Sequence, residues 1–78
     1  KRLDDLEALA LGFPGVEKVF AIQAGREVRV LVENARLSDQ DADLLARDIA
    51  RTVEAELTYA GEIRVTVVRE TRAVQFAR

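Results

Sequence analysis

The stretch Val19–Glu33, VFAIQAGREVRVLVE, constrains this chain more than any other. Two apolar runs flank Ala24-Gly25-Arg26. In the second run Val28, Val30 and Val32 alternate with Glu27, Arg29, Leu31 and Glu33, the period of a strand buried on one face. Gly25 takes a positive φ at little cost, so the reversal is expected there. The first run has no clear phase: Val19 and Ala21 lie on one face, Phe20 and Ile22 on the other. Loop parity decides between them. A two-residue loop would set Phe20 and Ile22 beside Arg29 and Leu31. A three-residue loop, Gln23-Ala24-Gly25 with Gly25 left-handed, would set them beside Val28 and Val30. The larger residues gain more from burial, so the second is expected.

The other segments cover or extend this hairpin. Lys1–Leu11 reads as a short helix with Leu3, Leu6 and Ala10 on one face, Leu9 beside them, and Asp4, Asp5 and Glu7 at its positive end. Gly12-Phe13-Pro14-Gly15 stops it, and Phe13 is expected to tuck into the core. The first strand runs Val16–Ala24. After the connection Asn34–Leu37, Ser38 caps a long helix and Asp41 completes a capping box, with Asp in place of Glu. Ala42, Leu45, Ala46, Ile49, Val53 and Leu57 form its apolar stripe; Asp43, Arg47, Asp48, Arg51 and Glu54 lie opposite, Asp43 and Arg47 forming an i,i+4 pair. The helix is expected to end near Leu57–Gly61. Glu62–Arg69 is a third strand with Ile63, Val65 and Val67 inward. Glu70-Thr71-Arg72 reads as a turn and Ala73–Arg78 as a fourth strand with Val74 and Phe76 inward.

The order α-β-β-α-β-β gives an α+β two-layer sandwich, because two helices cover one face of a sheet. It matches a permuted ferredoxin-like unit with an antiparallel or mixed sheet, the C-terminal strand filling the place between the second and third strands. That strand has a second option, pairing with another chain. At 78 residues the chain is a single domain, 1–78, and Leu3 already in helical phase behind Lys1 suggests a piece of a longer protein.

Composition removes several functions. With no histidine and no cysteine, the commonest general base, metal ligand and nucleophile are missing, and a reducing compartment is compatible. Asp39, Asp41 and Asp43 alternate as in a calcium loop, but they open a helix and lack the glycine and terminal glutamate of that loop. No catalytic, metal or cofactor residue is therefore assigned. A net charge of −2 argues against general binding to nucleic acid or anionic membranes. No apolar run reaches the length of a membrane span, so no direct membrane contact is expected of this segment. Two surfaces remain. Leu31 and Val68 on the outer sheet face, joined there by one apolar pair from the first strand, read as a protein interface that includes Arg64, with Arg69 and Arg72 at its edge. Arg64, Arg69, Arg72 and Arg78 form the one concentration of positive charge, a candidate RNA contact.

Two stretches carry a family resemblance: GVEKVFAIQAGREVRVLVE at Gly15–Glu33 and ARDIARTVEAELTYAGEIRVTVVRETRAVQFAR at Ala46–Arg78. They resemble the extreme C-terminal domain of the ribonuclease Y family, bacterial endoribonucleases that initiate messenger RNA decay. FAIQAGRE and VTVVRETRAVQFAR are the most specific parts. Asn34–Asp43 departs most, and Tyr59-Ala60-Gly61 stands where Tyr-Pro-Gly is expected. The resemblance implies a parent with an N-terminal membrane helix on the cytoplasmic side of the membrane, a coiled coil, a KH domain and a metal-dependent HD domain. RNA would be the parent's substrate and a divalent metal the HD domain's cofactor. None of the HD ligands lies in this chain. The implied partners of the segment itself are the HD domain of the same protein, a second copy in a homodimer, or other RNA-decay proteins.

Overall fold

A computed structural model describes residues 3–56 and 61–78. Five elements follow one another: helix α1 (Asp5–Leu11), strands β1 (Val16–Ile22) and β2 (Glu27–Glu33), helix α2 (Asp39–Glu56) and strand β3 (Arg64–Glu70). The sheet has the order β1-β2-β3, with β1 antiparallel and β3 parallel to the central β2. Both helices lie on one face, so the chain is an α+β sandwich with a mixed sheet.

The core is the alternation of β2 made physical. Val28, Val30 and Val32 are fully buried under Leu6 of α1 and Ile49 of α2, with Leu3, Ala10, Val19, Leu45 and Val53 closing the cluster. Ala42, Leu45, Ile49 and Val53 are the buried stripe of α2, while Asp43, Arg47, Asp48, Arg51 and Glu54 face solvent, as the helical period requires. The capping box forms in both directions: the Asp41 N–H donates to Ser38 Oγ at 3.1 Å and the Ser38 N–H to Asp41 Oδ2 at 3.4 Å. The expected Asp43–Arg47 pair is present at 3.6 Å. Phe13 packs against the core. The expected helix end near Leu57 and the Tyr59-Ala60 step lie outside the described residues, as do Lys1 and Arg2 of the expected first helix.

Four expectations are corrected. The hairpin loop is Gln23–Arg26, closed by the Arg26 N–H on Gln23 O at 3.1 Å, and Arg26, at φ 49°, is the left-handed residue in place of Gly25. Four residues have the parity of two. The last pair is therefore Ile22 with Glu27, Phe20 faces Arg29, and Phe20 and Ile22 point away from the core while Val19 and Ala21 point in. Side-chain size does not choose the face; the loop count does.

The expected strand Ala73–Arg78 is not formed, and Val74 and Phe76 are 60% and 79% exposed. A return along β3 through Thr71-Arg72 needs positive φ at one or both residues, which glycine and asparagine supply and a β-branched threonine resists. The permuted ferredoxin-like arrangement also fails, because β2 pairs directly with β3 from Glu27–Arg64 to Glu33–Glu70 and leaves no place for a strand between them. Finally, α1 starts at Asp5, with Leu3 and Asp4 in a preceding turn.

Gly61 sets the entry into β3. At φ +123° it lets the chain return under the hairpin loop, where a Cβ would fall 2.6 Å from the Arg26 guanidinium. The Arg64 N–H then donates to Arg26 O at 2.9 Å and starts the parallel ladder.

Candidate interaction surface

With both helices on one side, the other face of the sheet has no cover. Its register sets Lys18, Leu31 and Val68 in one row across the strands, Phe20, Arg29 and Thr66 in the next, and Ile22, Glu27 and Arg64 in the third. Phe20 is 48% exposed; Ile22, Leu31 and Val68 are half-buried only by their own neighbours. The expected apolar pair that joins Leu31 and Val68 is thus Phe20 with Ile22. The sequence signal that would have named it was loop parity.

The face is polar at its centre and at the Glu27 end. Arg29 grips Glu27 through Nε at 3.1 Å and a terminal nitrogen at 3.2 Å. Glu27 is only 8% exposed although it points to the uncovered side. Its carboxyl is held below the ordinary glutamate value of 4.5, first by the Arg29 hydrogen bond and then by Thr66, against the opposing effect of burial. Arg64 stands opposite Glu27 in the register and adds a weaker attraction. In the sequence Glu27 is one polar member of the alternating strand, and nothing local to it signals that it anchors a small polar network.

The remaining arginines are dispersed. Arg64 and Arg69 differ by an odd number of residues on β3, so they lie on opposite sides of the sheet. Arg69 pairs with Asp39 at the start of α2 and donates to Asn34 O at 3.4 Å. Arg72 reaches Glu70 at 3.1 Å and Glu17, at the start of β1, at 3.4 Å. Arg78 lies 6.0 Å from the Phe76 ring centroid in the exposed C-terminal arm. The sheet therefore joins Leu31, Val68 and Arg64 on one face and sends Arg69, Arg72 and Arg78 elsewhere.

The two sheet edges differ. The outer edge of β1 is met by α1: the Ala21 N–H donates to Glu7 Oε1 at 3.3 Å, and Gln23 Nε2 to Asp4 Oδ1 at 2.6 Å. Beside β3, a groove of about 380 Å³ opens between the strand and α2, lined by Asp39, Ala42, Asp43, Ala46, Val67 and Arg69. Among the described residues, no cluster of acids has the arrangement of a metal site, and no helix is long and apolar enough to cross a membrane.

Comparison with known proteins adds a family. Over all 78 residues the chain is 59% identical to ribonuclease Y of Syntrophobacter fumaroxidans and 60% identical to ribonuclease Y of Treponema pallidum and of Thermus thermophilus. It spans 15%, 16% and 14% of those proteins respectively, at their C-terminal region. No family model matches the chain. No solved structure matches it either.

Proposed function

This chain is related over its full length to the C-terminal part of ribonuclease Y, and on that premise we propose that it is a non-catalytic accessory domain of an endoribonuclease that initiates messenger RNA decay. Its role is docking, on the HD domain of the same protein or on a second subunit, so that the parent is held in a cleavage-competent arrangement. Hydrolysis, the divalent metal and the tether to the cytoplasmic side of the membrane belong to other parts of that parent, and RNA is the parent's substrate.

The observation that carries this reading is the uncovered apolar sheet face built by Phe20, Ile22, Leu31 and Val68. These apolar side chains interspersed with Lys18, Arg29, Thr66 and Arg64 have the mixed composition of a protein interface. The test is Leu31→Asp with Val68→Asp in the intact enzyme. Two half-buried aliphatics of this face exchanged for charges weaken docking by roughly tenfold or more, with cleavage reduced in parallel. Unchanged assembly and cleavage overturn the reading.

One observation favours a second reading. Arg78 and Phe76 form a cation–aromatic pair on an exposed arm, a combination that stacks on unpaired bases. RNA contact through Arg64, Arg69, Arg72 and Arg78 would weaken steeply with salt. Anisotropy of a labelled single strand titrated with the chain at low and high salt separates the two. Saturable, salt-sensitive binding supports substrate guiding; no binding at high micromolar protein leaves docking, on the parent or on other RNA-decay proteins.

A further inference from the structure

We propose that the arm Ala73–Arg78 adds as a strand to the open β3 edge of a second copy of this chain, so that two copies exchange arms. The inference rests on the docking reading and names its partner, but it uses a different surface from the outer sheet face.

Three observations meet here. The first is an acceptor. In the parallel ladder, Arg64 donates its N–H to Arg26 O, and Glu70 O accepts from the Asn34 N–H. The alternation of a strand then points the backbone N–H and C=O of Val65, Val67 and Arg69 to the side away from β2. Such an edge is a template for another strand, whereas the edge of β1 is met by the Glu7 carboxylate. The side chains at these same positions face the helix layer, yet Val65 and Val67 are only half-buried. The small residues Ala42 and Ala46 of α2 leave the neighbouring groove open; its rim carries Asp39, which Arg69 of the same groove engages, and Asp43, which makes an exposed pair with Arg47.

The second observation is a donor of matching pattern. The arm has no regular structure and is exposed from Thr71 to Arg78. At a period of two, Arg72, Val74, Phe76 and Arg78 share one face, with Ala73, Gln75 and Ala77 on the other. Val74 and Phe76 match the apolar part of the groove, Ala42, Ala46 and Val67, and Arg78 would take Asp43 from its weak, exposed pair with Arg47. Six residues extend about 20 Å, close to the length of a seven-residue edge strand.

The third observation decides between the chain's own edge and another copy's. A two-residue return through Thr71-Arg72 is disfavoured by residue type. The structure also ties those residues to the end of the sheet instead: Thr71 Oγ1 accepts from Asn34 Nδ2 at 3.4 Å, and Arg72 is held by Glu70 and Glu17. The arm therefore leaves its own domain, while the edge it matches stays open. A symmetric exchange satisfies both copies at once and is a low-cost route to a dimer.

The test is sedimentation equilibrium of the 78-residue chain over a wide concentration range, with circular dichroism to show that each variant stays folded. A monomer–dimer equilibrium is expected, with Phe76→Asp raising the dissociation constant roughly tenfold or more and truncation after Arg72 leaving a folded monomer. Asp43→Lys and Arg78→Glu are expected to weaken the dimer separately and to restore it when the two chains are mixed, because each groove then meets an arm of opposite charge. A wild-type chain that stays monomeric throughout overturns the proposal. So does a dimer that survives the truncation, which would instead point to the outer sheet face. Loss on truncation without rescue on mixing overturns the groove as the arm's seat. The Leu31→Asp, Val68→Asp enzyme tests the docking reading independently of all these outcomes.

Discussion

Glu27 shows how one residue's neighbours redefine it. By sequence it is the polar member of an alternating strand, and in the fold it is a buried carboxylate held by Arg29 and Thr66. Its ionised form is favoured in the folded state, so its contribution to stability is present above the ordinary glutamate value of 4.5 and is lost as pH falls through the lower folded value. Glu27→Gln is therefore expected to lower the unfolding free energy at neutral pH. The gap to wild type should close on acidification in urea titrations stepped downward from pH 7. A gap independent of pH would show that the carboxylate's charge is not what holds the network. Phe20 is the opposite lesson. Its size argued for burial, but no property of Phe20 itself determines its face.

At the scale of elements, the most local features were the most legible. Helix α2 begins where Ser38 and Asp41 say it should, because a capping box needs only four consecutive residues. Ser38→Ala is expected to cost about 1 kcal/mol, measured as a shift of the denaturation midpoint with unchanged slope. A loss near zero would mean that tertiary packing alone sets the start of α2. The strand β2 was legible for the same reason of regular period. The hairpin was not, because two, three and four residues can all join the same strands, and closure by a left-handed Arg26 fell to a residue that rarely adopts that geometry. The expected fourth strand is not formed: Val74 and Phe76 have strand periodicity, but a strand forms only against an edge its connection can reach.

For the whole molecule, the core closes without the arm. Leu6, Val28, Val30, Val32 and Ile49 are fully buried by residues between Leu3 and Val67, and nothing in Ala73–Arg78 belongs to that cluster. Truncation after Arg72 is therefore expected to change the unfolding free energy of the monomer by less than about 0.5 kcal/mol in dilute solution. A larger loss would mean that the arm packs on its own domain. The sequence alone determined the α+β class, the apolar stripe of α2, its cap, and Leu31, Val68 and Arg64 as outward residues of the sheet, since each follows from spacing along one element. Only the tertiary structure decided that Phe20 and Ile22 complete the outer face, that β3 lies directly against β2, and that Arg69 and Arg72 leave that face for Asp39 and Glu17. Those outcomes depend on loop parity and on strand neighbours distant in sequence, and local periodicity carries no information about either.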